Sequence, residues 1–182
     1  MNNTEEWLIE FKDNSYFRLS ENKFYIQNQK NYEVCRDNEG NKKGSYGGMK
    51  EMDFCYCHDM HIDLIECKKS DSPAKRALKE DCTDKALHSS ALLKTALYSK
   101  NNYIFEVLNK LNKNYSGDEE LKIYIIFEKL DAKSKTNFVD VSKGIEDSIK
   151  KFLICPLGKM WNIKEVQVLD YETAKKKLQY IK

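Results

Sequence analysis

A chain of 182 residues with 41% apolar and 12% aromatic residues is long enough for one domain with a sizeable core. Charged residues make up 33%, with 31 basic against 29 acidic for a net charge of +2, and the signs alternate along most of the chain. That balance excludes a disordered polyelectrolyte and gives no global basic signature of a nucleic-acid binder, so any such role must rest on a local surface.

Several further classes fall away. No stretch approaches the ~20 apolar residues of a membrane span. The N-terminal Met1-Asn2-Asn3-Thr4-Glu5-Glu6 has neither a basic nor an apolar leader region. The six cysteines, at 35, 55, 57, 67, 82 and 155, sit mostly within apolar runs. Reduced thiols in a cytoplasmic protein without membrane contact are the expectation.

In chain order, Thr4 can cap a short helix over residues 4–12, with Trp7, Leu8 and Phe11 on one side. The aromatic-rich stretch 15–27 predicts one or two strands, at 16–19 and 23–27, and 32–36 predicts another. Residues 37–48, with Gly40, Gly44, Gly47 and Gly48, read as a loop. That run lacks the Gly-Lys-Ser/Thr ending of a phosphate loop.

Two strands follow, 51–57 and 62–68, joined by a turn around His58-Asp59-Met60. Ser72-Pro73 opens a helical region, and Leu78, Cys82, Ala86, Leu93 and Leu97 recur at helical spacing through Tyr98. After Asn101-Asn102, the residues Ile104, Val107, Leu108 and Leu111 continue as a second helix or a kinked extension, ending at Ser116-Gly117-Asp118. Residues 121–128 form a nearly continuous apolar run, as in a central strand covered on both faces. Phe138, Val141, Ile145, Ile149 and Phe152 mark another helix, 165–169 a short strand, and Asp170 the cap of a last helix to Tyr180. The chain reads as one mixed α/β domain over residues 1–182, with no repeat and no linker.

The chemistry concentrates between Asp53 and Lys68. Side chains alternate along a strand, so Glu66 and Lys68 share one face while Ile65 and Cys67 take the other. Twelve residues separate Asp53 from Glu66, and an antiparallel hairpin of that length places the two carboxylates side by side. Carboxylates among buried strand residues are costly without a metal or partner. Two acids and an ammonium are also what phosphodiester hydrolysis requires. Hard oxygen ligands hold Mg²⁺, which stabilises charge at phosphorus and lowers the pKa of a bound water. A lysine beside that water orients or deprotonates it and offsets negative charge in the transition state.

The pattern Asp53, a turn, then Leu64-Ile65-Glu66-Cys67-Lys68 resembles the PD-(D/E)XK superfamily of restriction-endonuclease-like nucleases. The match covers residues 50–72, and Met52 stands where the family name has proline. The resemblance implies an αβββαβ core over about residues 4–128, a mixed central sheet flanked by helices, and an α-β-α extension over about 129–182. It implies Asp53 and Glu66 as metal ligands, the Cys67 backbone carbonyl as a further ligand, and Lys68 as the catalytic lysine. An additional acid from the first helix would be Glu10 or Glu6. The cofactor implied is Mg²⁺ or Mn²⁺, and the activity is endonuclease or exonuclease cleavage of DNA.

Lys69, Lys75 and Arg76 directly follow the motif and are the candidates for phosphate contacts. The partner expected is nucleic acid, DNA before RNA, with a homodimer left open. An RNA endonuclease with the same core, and a non-cleaving nucleic-acid-binding or protein-interaction module on the same fold, are the alternatives.

Other groups read as structural. Cys55, Cys57, His58 and His61 have poor spacing for zinc, because the cysteines share a strand face and the histidines sit in the turn. The cysteines are therefore assigned to the core. Asp63 falls on the face opposite Glu66, and Asp59 and His61 at the solvated tip; Lys85 and His88 are assigned to a plain helix surface, with a place facing the site, as in some arrangements of the superfamily, as the alternative.

Overall fold

The computed structural model describes residues 9–19, 50–68, 75–99, 103–128, 130 and 132–182, with the side chains of 75, 76, 103 and 132–136 outside the description. Its elements are β1 (Tyr16–Phe17), β2 (Phe54–Cys57), β3 (His61–Lys68), α1 (Lys75–Ser99), α2 (Tyr103–Lys110), β4 (Glu120–Phe127), α3 (Ala132–Ile149), a π-helical continuation (Lys150–Gly158), β5 (Ile163–Asp170) and α4 (Tyr171–Lys177). The strands form one five-stranded mixed sheet in the order β1-β2-β3-β4-β5. β1–β2 and β2–β3 pair antiparallel, while β3–β4 and β4–β5 pair parallel. A parallel pair needs a crossover, and α1 with α2 supplies it between β3 and β4, as α3 and its continuation do between β4 and β5.

The apolar run read at 121–128 is the central strand β4, whose residues from Ile123 to Phe127 are all buried. The sheet separates two cores. One contains Ile62, Leu64, Ile123 and Ile125 with Leu78, Leu93 and Leu97 of α1 and Ile145 and Ile149 of α3. The other lies on the opposite face, where Phe54, Tyr56, Ile65 and Tyr124 pack with Ile9, Phe11, Tyr180 and Ile181. Burial of each such side chain contributes ~1.5–3 kcal/mol.

One expectation is corrected. Residues 9–12 are not helical: Phe11 bridges Ile181 antiparallel, and Lys12 N–H donates to the Tyr180 carbonyl at 2.9 Å. Residues 1–8, and with them the rest of that predicted helix, lie outside the described residues, as do the strands read at 23–27 and 32–36 and the loop at 37–48. The region expected as an α-β-α extension holds α3, β5 and α4, and β5 pairs with β4 from Leu121↔Ile163 to Phe127↔Asp170, adding a fifth strand to the sheet. The predicted cap holds: the Asp170 carboxylate accepts from Thr173 N–H at 2.9 Å. No described helix is long and apolar enough to cross a membrane.

Candidate active site

The β2–β3 register pairs Phe54 with Ile65 and Cys55 with Leu64, so one step further along the ladder sets Asp53 opposite Glu66. Asp53 Oδ2 accepts the Cys67 N–H at 2.7 Å, which fixes its carboxylate across the hairpin. The N–H and C=O of one strand residue face the same side, so the Cys67 carbonyl is directed to this edge too. Glu66 is 1% exposed and accepts Lys68 Nζ and Lys85 Nζ at Oε1, each at 2.7 Å. Its second oxygen, Oε2, is buried with no hydrogen-bond partner.

α1 brings a second tier of charge. Lys68 Nζ also contacts Asp81 Oδ2 at 2.8 Å, and Lys50 Nζ contacts Asp81 at 3.2 Å and Asp84 at 3.1 Å. Lys50 N–H donates to His88 Nδ1 at 3.0 Å, and Met52 N–H to Ser89 Oγ at 2.8 Å. These two bonds tie the approach to β2 onto the helix. The helix surface expectation for Lys85 and His88 is therefore corrected: one contacts Glu66 and the other anchors the segment leading to Asp53.

The electrostatics follow from burial. Burial and the neighbouring Glu66 charge push the Asp53 pKa up to about 7, against the Cys67 N–H and the Lys85 and Lys68 charges, which lower it. For Lys68, burial acts to lower the pKa, but Glu66 and Asp81 outweigh it and the net shift is upward. Burial acts to raise the Asp81 pKa, yet its contacts with Lys68 and Lys50 and the charge of Lys85 leave it below the ordinary carboxylate range. Lys68 is thus held as an ammonium while Asp53 titrates near neutrality.

Asp53, Glu66 and Lys68 are brought together; Glu10 is not. It is exposed, with its carboxylate 3.5 Å from Lys182 Nζ. It also lies between Ile9 and Phe11, which pack on the face opposite Asp53 with Phe54 and Tyr56. Glu6 and Lys69 lie outside the described residues, and Lys75 and Arg76 outside the described side chains.

Lys50, Asp81 and Lys85 were missed or set aside by sequence reasoning. Asp81 and Lys85 lie one turn apart beside the apolar positions Leu78, Cys82 and Ala86, and that i, i+4 pair bordering the core face is the signal that marks them. Among the described residues, Cys55, Cys57, Cys67 and Cys82 are free and buried and Cys155 is free and exposed. Burial raises the thiol pKa values of the four buried ones.

No family model, no curated protein and no solved structure matches the chain.

Proposed function

We propose that this protein is a metal-dependent phosphodiester hydrolase acting on nucleic acid, of the PD-(D/E)XK type, with DNA as the favoured substrate and RNA as the competing one. The observation that carries the reading is a buried carboxylate, Glu66, set opposite Asp53 with one oxygen unpartnered and Lys68 alongside. An unsatisfied buried carboxylate oxygen costs ~1–3 kcal/mol or more, and a divalent cation removes that cost. The donor set is all oxygen, which suits Mg²⁺ or Mn²⁺ over softer-liganded metals. Asp53, Glu66 and the Cys67 carbonyl would hold the ion, which when bound supplies charge stabilisation at phosphorus and a water of lowered pKa.

The chain's own groups then divide the remaining work. Lys68, kept as an ammonium by Glu66 and Asp81, orients the attacking water and offsets developing negative charge; it does not take the proton. Lys85 balances Glu66 from the helix side, and Lys50, a third of whose side chain is exposed, offers a cation at the rim for substrate phosphate.

Incubation with supercoiled plasmid, linear duplex, single-stranded DNA and RNA in Mg²⁺ or Mn²⁺ is the direct test. Cleavage is expected, with loss of activity and of calorimetric Mn²⁺ binding in Asp53→Ala and Glu66→Ala. Lys68→Ala should keep Mn²⁺ binding and lose ~10²–10⁴ in rate. Absence of cleavage of all four substrates would sink the reading.

One observation favours the non-cleaving module. Glu66 Oε1 already receives two lysines at 2.7 Å, so the network is partly neutralised without a metal. In that case Mn²⁺ titration shows no binding that depends on Asp53.

A further inference from the structure

A second group of donors lies on the other face of the same hairpin, three residues along β3 from Glu66, or ~10 Å at the usual strand rise. His58 and His61 flank the turn with their rings stacked at 3.8 Å, and Asp63 follows on β3. One ligand atom from each of the three residues falls within 4.8 Å of the others. Asp63 is 1% exposed, and its Oδ1 is buried with no hydrogen-bond partner. That oxygen faces His61 Nε2 at 3.6 Å, beyond hydrogen-bonding distance. Its twin, Oδ2, is held by the Tyr180 hydroxyl at 2.6 Å and by His58 Nε2 at 3.0 Å.

This is how a ligating carboxylate is usually prepared. One oxygen is fixed by an outer donor, here Tyr180, and the other is aimed at the ion. The imidazole side chains are 27% and 25% exposed, so the turn side remains open to water as a further ligand. Two imidazoles and one carboxylate select zinc or a similar borderline ion over Mg²⁺, which prefers oxygen throughout. Zinc–nitrogen bonds of ~2.0–2.1 Å require the donors to close up by an ångström or so. Rotation of the two partly exposed histidines supplies that movement.

We infer that His58, His61 and Asp63 form a zinc site, separate from the carboxylates at Asp53 and Glu66, that pins the hairpin turn onto the start of β3. Cys55 and Cys57 take no part, since they pack in the core on the opposite face with Ile62 and Leu64. The ion satisfies Asp63 Oδ1, while Tyr180, stacked on Tyr56 at 3.8 Å, keeps the other carboxylate oxygen fixed through its hydroxyl.

The test is a Zn²⁺ titration of chelator-stripped protein against a chromophoric competitor, with a thermal melt at each endpoint. Wild type should bind one equivalent at this site and melt at a higher temperature with zinc. Millimolar Mg²⁺ should not displace it. Asp53→Ala/Glu66→Ala should retain that equivalent, whereas His61→Ala and His58→Ala should weaken it by more than ~100-fold, beyond what loss of an outer-shell partner costs. Tyr180→Phe, which removes only such a partner, should weaken it by ~10-fold or more. The two histidine variants sit at the turn surface, so they carry the test even if Asp63→Asn fails to fold. Equal zinc affinity in wild type and both histidine variants overturns the inference, as does an equivalent lost in Asp53→Ala/Glu66→Ala but kept in His61→Ala.

Discussion

Asp53 sits where burial and the Glu66 carboxylate both oppose its charge, and its pKa moves from 3.8 to about 7. Between those values the folded chain holds a proton that the unfolded chain has released. The Asp53 contribution to metal-free stability therefore falls as pH rises from about 4 to about 7 and levels off above. Asp53→Asn removes the charge while keeping a carbonyl oxygen that can accept the Cys67 N–H. In EDTA the variant should melt above wild type at pH 8, with the difference shrinking towards pH 5. Equal melting temperatures at pH 8 would show that the two acids do not oppose one another. This residue, with Glu66 and Lys68, was legible in the sequence because strand alternation and hairpin length determine which side chains share a face. Lys85 was not, because the rotation of α1 against the sheet is set by packing that its own pattern does not encode. The same holds for Asp63, whose burial depends on Tyr180, 117 residues away.

The element that carries most of the site, the β2–β3 hairpin, is local in sequence, and its strands lie within a residue or three of the expected bounds. Elements shaped by distant contacts were harder to read. Ile9 and Phe11 are buried and Glu10 exposed, a two-residue alternation that suits the bridge to Ile181 better than the helical spacing of Trp7, Leu8 and Phe11. The helix whose apolar positions run to Phe152 continues as a π-helical segment to Gly158, with its Leu153 buried and Pro156 within it. The connection from α2 into β4 rests on Gly117, whose φ of +106° is left-handed and whose missing Cβ faces the Tyr98 ring at 3.0 Å. Its carbonyl also accepts the buried Lys94 ammonium at 2.9 Å, and the Glu119 carboxylate takes its N–H at 2.9 Å. Gly117→Ala should cost ~1–3 kcal/mol in urea unfolding from the backbone conformation, with Tyr98 displaced as well. A change under about 0.5 kcal/mol would mean that the loop relaxes freely.

Across the whole molecule the sheet divides the chemistry. The carboxylate–lysine network belongs to the layer with α1 and α3, and the histidine–aspartate group to the layer with Tyr56 and Tyr180. The α/β class and the place of β4 as a covered central strand were readable from the apolar runs. The role of residues 163–170 as a fifth strand of the same sheet was not, because the pairing of β5 is fixed only by where α3 returns the chain. The second layer also brings residues 9–12 against 180–182: Lys12 N–H bonds to the Tyr180 carbonyl and Lys182 N–H to the Glu10 carbonyl, both at 2.9 Å. Packing in this region is therefore indifferent to which of the two strands comes first along the polypeptide. A circular permutant that keeps every residue, joins Lys182 to Met1 through a glycine and serine linker, and opens between the exposed Asn112 and Asn114, should unfold in one cooperative transition in urea. The order in which a ribosome delivers these elements then becomes a variable, and the permutant's melting temperature against that of the parent chain measures what the covalent join beside Lys113, whose ammonium lies 2.7 Å from Asp59, contributes to the turn.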